Sequence, residues 1–395
     1  MHRPRLNILL LTGIKHDYVP PEIEIPMYLA SLGHNVVAVF QGEKFMQYAI
    51  IKNYKVIVPY KRIFHILNYI NFLKRLQKIW RFNVVFASRN LLNAFACLFL
   101  KIRGIRTIFI VENPIEQSWV SRRFKANNKV YKFLIDLLYV FKRHFILFCL
   151  KRFDLIVAIS HEIKQDIMRH GIMGKITVVP EGVQVSRFIY VPKEDTDSLI
   201  KRYKADSSIL ITYVGTLDRL RNLQVLIKAF SIVASKKNNV KLMLVGDGDD
   251  AIFLKTLADR LGILQKVIFT GWVNPKDIPK IITASDICIS IVPPFSFYKA
   301  SCPIKIHEYL AAGKPIVANE EIPEHTKVIS ESKGGILTTY DCEAIASAII
   351  KIIDNQQEAL KMSENGRKWI ITNRSYDILV RHIEKMCLEL LGRVR

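Results

Sequence analysis

Short runs of β-branched and apolar residues alternate with longer stretches of helical spacing along nearly the whole chain. In the first half the candidate strands are 6–12, 35–40, 83–87, 107–111, 155–159 and 176–179. In the second half they are 209–214, 241–245, 267–270, 287–292, 315–318 and 336–338. Apolar runs of this length, separated by helix-period segments, predict parallel strands joined by right-handed helical crossovers. Twelve strands exceed one comfortable doubly wound sheet. The pattern therefore predicts an α/β protein of two Rossmann-like domains, each a doubly wound parallel sheet. The polar stretch 192–208 holds few large apolar residues and is the candidate linker. The expected organisation is 1–190, 191–372 and a terminal segment 373–395, with no internal repeat or low-complexity tract.

Two helical stretches are basic as well as apolar. Residues 61–82 set Ile63, Phe64, Ile66, Leu67, Ile70, Leu73 and Leu76 at helical spacing among Lys61, Arg62, Lys74, Arg75, Lys78 and Arg81. In 129–153, Lys129, Lys132, Asp136, Arg143 and Lys151 share one arc and leave a very broad apolar face. Their charge-free runs fall far short of the about 20 residues that a membrane span needs. Two readings stay open for both: a crossover helix buried against the sheet, or a basic, aromatic-rich surface resting on anionic lipid headgroups.

Composition narrows the class. The chain has 395 residues, half of them hydrophobic, and a net charge of +23. That charge is uneven: residues 1–190 carry 29 Lys and Arg against 11 Asp and Glu, whereas the remainder carries 29 against 24. The first half should favour an anionic partner, and on charge alone nucleic acid and anionic lipid both qualify. Six scattered cysteines without a C-x-x-C spacing argue against a zinc site or a disulfide framework and for a reducing compartment. The apolar run 6–12 is short and lacks a signal-cleavage pattern, so it reads as a first buried strand.

Candidate chemistry gathers in the second half. In 301–318, Ser301 or Cys302 can cap a helix, Pro303 suits its first turn, and Gly313 followed by Pro315 ends it before a buried strand. Such a helix points free N–H groups outward from a sheet edge, where a phosphate is at home. Lys305 and Glu308 share one helix face, so they either grip a nucleotide's diphosphate and ribose or form a surface ion pair. Gly215 ends the candidate strand 209–214, and Arg219 and Arg221 in the loop beyond it can neutralise a phosphate pair. Residues 244–250 hold both a G-x-G and a D-x-D; Asp247 and Asp249 either bind a divalent cation or favour a helix N-terminus. Gly13 and His16 follow the first strand without the glycine spacing of a nicotinamide site. No P-loop, H-E-x-x-H or Ser/His/Asp arrangement is present.

Taken in order, the motifs of the second half resemble the retaining, nucleotide-sugar-dependent glycosyltransferases of family 4, which have the GT-B fold. They are Val179-Pro180-Glu181-Gly182-Val183 with Phe188, Tyr213-Val214-Gly215-Thr216-Leu217 with Arg221-Asn222-Leu223, Leu244-Val245-Gly246-Asp247-Gly248, Phe269-Thr270-Gly271-Trp272-Val273, Ala284-Ser285-Asp286-Ile287, and Ile306-His307-Glu308-Tyr309-Leu310-Ala311-Ala312-Gly313-Lys314-Pro315. Good matches span about 154–350; the first half looks similar only in outline, as at Leu29 and Gly33-His34-Asn35-Val36.

The resemblance implies an acceptor-binding first domain, a donor-binding second domain, and a final helix at about 376–391 that returns to the first. It implies a catalytic set of Arg221, Lys305 and Glu308, in which Glu308 binds the ribose hydroxyls and Arg221, with Lys305, handles the diphosphate. The implied donor-binding set is Gly13, Gly215, Thr216, Arg219, Trp272, Val273, Ser301, Cys302, Pro303 and Ile304. No cofactor or metal is implied beyond the nucleoside diphosphate sugar, and the acceptor is a glycan or a lipid-linked glycan. The expected setting is cytoplasmic, with no nucleic-acid partner, and the charge of the first domain allows an anionic surface on the inner face of the membrane as a further partner. The chain also departs from the family: Ala300 replaces the first motif glutamate, Thr216 a common arginine, and Glu181 a usual asparagine. Glu112-Asn113-Pro114 stands where many members carry a catalytic-site histidine. A nucleotide-sugar epimerase of the same fold, or an inactive membrane-associated scaffold, is the alternative reading.

Overall fold

The computed structural model describes residues 5–11, 21–39, 54–57, 66–88, 91–114, 119, 123, 128–195 and 208–392. The chain forms two compact units, one of 1–180 with 376–395, the other of 181–375.

The first unit is built on a parallel sheet of seven strands: β1 (Asn7–Leu11), β2 (Asn35–Val39), β3 (Tyr54–Ile57), β4 (Val84–Ser88), β5 (Arg106–Val111), β6 (Leu155–Ala158) and β7 (Ile176–Val178). Their order is β3-β2-β1-β4-β5-β6-β7, with Leu9 of β1 opposite Val37 on one side and Val85 on the other. The crossovers are α1 (Pro21–Ser31), α2 (Ile66–Trp80), α3 (Leu91–Lys101), α4 (Lys129–Leu150) and α5 (His161–Arg169). β3 is an element that the hydrophobic pattern did not single out, because lysines interrupt its short run.

The two basic helices part company. α2 buries Tyr69, Leu73 and Leu76 and exposes Arg75 and Lys78, as a crossover helix does. In α4 only Ile135, Cys149 and Leu150 are buried, and most of its large apolar side chains face outward. For 129–153 the reading of a helix buried against the sheet is therefore corrected: α4 packs on α3, where Phe145 stacks on Phe95 (6.3 Å), and most of its apolar surface is left uncovered.

The second unit carries six parallel strands: β8 (Ile209–Val214), β9 (Val240–Val245), β10 (Val267–Phe269), β11 (Ile287–Ser290), β12 (Ile316–Asn319) and β13 (Gly335–Thr338). They are ordered β10-β9-β8-β11-β12-β13. Its helices are α6 (Ser186–Ile189), α7 (Gln224–Lys236), α8 (Ala251–Arg260), α9 (Ile278–Ala284), α10 (Ser296–Lys299), α11 (Ile304–Ala311), α12 (Pro323–Ser332), α13 (Cys342–Asp354) and α14 (Gln356–Asn373). Side chains alternate across the sheet, so Ile211, Tyr213, Leu242, Ile289 and Val317 join α7 and α13 in one core. Cys288, Ile316 and Ala318 point the other way and meet α11, α12 and α14.

The division falls at Pro180 rather than near residue 190: Val183 donates its N–H to the Arg374 carbonyl (3.0 Å), and Val183, Val185 and Phe188 pack with Ile282, Ile306 and Ile370, which ties 181–190 to the second unit. The last helix, α15 (Tyr376–Leu390), packs on α1 in the first unit, where Leu379, Val380, Ile383 and Cys387 join Leu6, Ile8 and Leu29. A buried polar link reinforces this seam. The Leu6 N–H donates to His34 Nδ1 (3.2 Å), so the ring proton sits on Nε2 and donates to Glu384 Oε1 (3.0 Å). Glu384→Ala leaves that donor without its carboxylate, and we expect a loss of about 1–3 kcal/mol. Urea unfolding measures it, and faster amide exchange across Tyr376–Leu390 localises it; unchanged exchange there would show that the link does not hold α15.

Candidate functional site

In the second sheet the connections from β8 run one way, to β9 and β10, while β11, β12 and β13 lie on its other side. The strand order thus reverses between β8 and β11, and a crevice outside their carboxyl ends is where open α/β sheets place ligands. The loops there are 215–223 after β8 and 291–303 after β11, and these two carry most of the residues that the sequence singles out. The equivalent reversal in the first unit lies between β1 and β4. Gly13 and His16, after β1, fall outside the described residues.

Three loops meet through glycines. Gly246 sits at φ +137°, and a Cβ there would lie 2.0 Å from the Gly215 carbonyl oxygen. A Cβ on Gly248 would lie 2.4 Å from the Leu217 backbone. The G-x-G is therefore a backbone contact between the β9 and β8 loops, sealed by Gly215 N–H to Val245 O (2.9 Å) and Leu217 N–H to Asp247 O (3.0 Å). Gly246 also donates to Gly271 O (3.2 Å), which sets Trp272-Val273 beside the same rim; Val273 packs inward and Trp272 is 71% exposed. The D-x-D serves these loops as well. Asp247 accepts from the Gly248 N–H (2.8 Å) and Asp249 from the Arg219 N–H (3.2 Å).

Lys305 and Glu308 lie on α11, but they do not make the expected surface ion pair. The Lys305 ammonium folds over the Tyr213 ring, 3.9 Å from its centroid, and a Cβ on Gly215 would come within 3.0 Å of it. Among the described residues, neither the ammonium nor the Glu308 carboxylate has a hydrogen-bond or salt-bridge partner. Burial, and then the neighbouring Arg221 charge, pulls Lys305 well below the ordinary lysine range, although Glu308 opposes this. Burial raises the Glu308 carboxyl above its usual value, with Arg187 and Lys305 pulling it back. Arg221 stacks on Tyr298 (5.1 Å) and donates Nε to Thr216 Oγ1 (3.3 Å), so Thr216 positions that guanidinium. The Tyr213 hydroxyl, fully buried beside Gly215, also lacks a partner. Arg219 is exposed and lends its charge to Asp250 instead.

The N-terminus of α11 differs from the expected cap. Pro303 is the N-cap and no side chain bonds into the first turn; Ser301 turns its hydroxyl back to the Tyr298 carbonyl (2.6 Å). The turn 302–304 is braced from beneath. Cys302 Sγ donates to Glu324 Oε1 (3.6 Å), and Arg374 Nη2 donates to the same oxygen (3.2 Å). Burial pushes the Glu324 carboxyl up, yet His307 and Arg374 more than offset it, and it lies below its ordinary value. Cys302, His307 and Glu324 each bring one atom within 4.8 Å of the others, close enough for a metal ion. The guanidinium already occupying the shared carboxylate oxygen counts against a cation there.

Sequence reasoning did not name Arg187 and Tyr298, and it named Tyr213 only as the first residue of the motif Tyr213-Val214-Gly215-Thr216-Leu217, without a site role. Arg187 stands beside the motif residue Phe188, so a weak signal existed for it and for Tyr213. Ala300, at the end of α10, is buried and brings no carboxylate to the loop.

The two sheets, the reversal point and the loop set define a GT-B protein. Residues 24–187 match the family model described as Glycosyltransferase Family 4, and 195–369 match that of Glycosyl transferases group 1. The chain belongs to this glycosyltransferase family. It is 28% identical over 239 residues to an uncharacterized glycosyltransferase of Methanocaldococcus jannaschii, covering 60% of this chain and 58% of that protein. It is 25% identical over 233 residues to an alpha-monoglucosyldiacylglycerol synthase of Streptococcus pneumoniae, covering 58% and 50%. The chain spans about half the length of the curated relatives it matches. Among solved structures, Anabaena HepE in complex with UDP superposes with a TM-score of 0.72 at 15% identity, over 97% of this chain and all of that one.

The unneutralised Lys305 should cost stability. With its ammonium disfavoured in the folded state, the unfolded chain binds more protons between the depressed value and the ordinary 10.5, so stability at this site rises with pH across that window. Lys305→Met should raise the ligand-free stability of the second unit at neutral pH by about 0.5–2 kcal/mol and abolish the pH-dependent gain. Thermal melts across pH check this, and a destabilised Met variant would show that the cation is held by contacts not accounted for above.

Proposed function

We propose that this chain transfers a sugar from a nucleoside diphosphate sugar to a glycan or lipid-linked acceptor, with retention at the anomeric carbon. The observation that carries the proposal is the convergence of Lys305, Arg221 and Glu308, without hydrogen-bonded counter-charges for the first and last, at the reversal point of the second sheet. Two cations repelling each other beside an uncapped helix N-terminus form a receptor for a diphosphate. A desolvated carboxylate one turn further along α11 suits a pair of ribose hydroxyls. HepE's complex with UDP supports the nucleotide class.

In this reading Lys305, Arg221 and the first-turn N–H groups of α11 stabilise the diphosphate as it leaves. Gly215 lets it approach the backbone, Thr216 holds Arg221 in place, and Trp272-Val273 line the base. Ser301, Cys302, Pro303 and Ile304 form the turn beneath the phosphates. The family's front-face route, in which the departing phosphate takes the acceptor's proton, requires no enzyme base. Ala300 removes one sugar contact, so the donor sugar is held mainly by backbone. The basic first unit takes the acceptor, and the setting is cytoplasmic.

A thermal-shift panel of UDP-, GDP- and ADP-sugars tests the donor assignment. One member should stabilise the wild type, and Glu308→Ala should weaken it by about 1.5–3 kcal/mol, tenfold or more; unchanged affinity would remove Glu308 from the donor site. Asp247 and Asp249 already accept loop N–H groups, and the diphosphate charge is met by cations. Transfer should therefore persist after exhaustive EDTA treatment, and a strict metal requirement would bring those two aspartates back into the chemistry.

A further inference from the structure

α4 is turned inside out relative to an ordinary crossover helix. Phe133, Leu134, Leu137, Leu138, Phe141 and Phe148 are all exposed, from 47% at Leu134 to 78% at Phe141. At 100° per residue they cover an arc of about 140° on one face. His144, the polar residue inside that arc, turns Nδ1 back to the Val140 carbonyl at 2.8 Å. Lys129 and Lys142 are exposed and flank the two edges of the arc, with Lys132 and Arg143 behind them. The helix's single acid, Asp136, is engaged by Trp119 Nε1 (2.6 Å) and Arg123 Nε (3.2 Å), so the basic rim is left without an opposing carboxylate on the helix.

We propose that this face of α4 is a docking surface for an anionic lipid bilayer, on which the helix lies flat with its aromatic and aliphatic side chains in the headgroup–acyl boundary. Among the described residues no helix is long and apolar enough to cross a membrane, so the contact is one of lying on rather than spanning. A basic rim on both sides of an apolar stripe matches anionic headgroups, which attract each flanking cation while the stripe inserts. A second copy of the chain fits less well, since an isologous pairing of this face would bring like-charged rims together. The net positive charge of residues 1–190 supports the same partner. This inference stands apart from the donor site, because α4 belongs to the first unit and the candidate donor loops to the second.

Flotation of the full chain with phosphatidylcholine vesicles, with and without phosphatidylglycerol, is the test. We expect binding to the phosphatidylglycerol vesicles that weakens as salt rises, and little binding to phosphatidylcholine alone. Leu137→Asp combined with Phe141→Asp should lower partitioning roughly tenfold or more. The positions are already exposed, so the circular dichroism and the nucleotide-sugar thermal shift should match the wild type. Lys129→Gln with Lys142→Gln should weaken binding severalfold and flatten its salt dependence. A double-Asp variant that floats like the wild type would overturn the proposal. So would a wild type that ignores both vesicles, or one that is a dimer by light scattering, is dissociated by Phe141→Asp and does not float. Donor binding, measured on the same samples, separates any such failure from a failure of the transferase reading.

Discussion

Two positive charges without an adequate counter-ion are the constraint around which the second unit is arranged. Lys305 has a carboxylate three residues along its own helix, the geometry in which helical ion pairs ordinarily form, yet its ammonium turns away onto the Tyr213 ring. There it sits in the field of Arg221, which lowers its proton affinity further. A protein under selection for stability alone would pair that lysine or replace it. Holding the two cations together, with Glu308 and the Tyr213 hydroxyl also short of partners, makes sense when a polyanionic ligand completes the set. The proposed donor site rests on this arrangement, with the cations meeting the donor's phosphates and the neighbouring carboxylate its hydroxyls.

Keeping such a site open requires the backbone beneath it to be rigid, and glycine-to-glycine contact supplies that rigidity. Gly246 could carry no Cβ without colliding with the Gly215 carbonyl, and Gly215 could carry none without displacing the Lys305 ammonium. The β8 and β9 loops therefore lock to each other, and the β8 loop in turn sets where the ammonium can lie. Asp247 and Asp249, which follow Gly246 and Gly248, accept from backbone N–H groups, which explains a D-x-D motif without assigning it to a metal. On the other side of the crevice, the buried Cys302–Glu324–Arg374 contacts pin the turn that opens α11. Both walls are thus set by interactions that never touch a ligand, which leaves the polar groups lining them uncommitted.

How much of this was legible in the sequence follows from the range of the interactions. Parallel strands covered on both faces read as unbroken apolar runs, so β8 is found residue for residue at 209–214. The helix carrying Lys305 and Glu308 also announces itself, because proline, glycine and spacing are local signals. β3 is short and broken by lysine, and only its pairing with β2 makes it a strand. The unit boundary eludes a reading based on polarity, since it follows from tertiary contacts: the Val183 to Arg374 hydrogen bond across nearly two hundred residues and the packing of Val183, Val185 and Phe188 with Ile306 and Ile370. Tyr213 and Arg187 likewise join the site through tertiary packing. The same holds for the helix cap: Ser301 is an able N-cap by type, but Tyr298 offers it a nearer carbonyl.

The case of α4 shows the limit of a helical wheel most plainly. Periodicity measured the breadth of its apolar face correctly, but breadth does not say which part a neighbouring element will cover. The helix packs on α3, where Phe145 stacks on Phe95; Ile135, Cys149 and Leu150 are buried, and the remaining apolar arc is left to solvent. Leaving that arc exposed to water carries no benefit to folding, and a contiguous apolar surface of this kind is uncommon on a free protein. The single acid on the helix is occupied by Arg123 and Trp119, which removes the one charge that would repel an anionic surface. Apolar exposure, flanking cations and a neutralised acid are three separate features of one helix, and a lipid headgroup layer is the partner chemistry that uses all three.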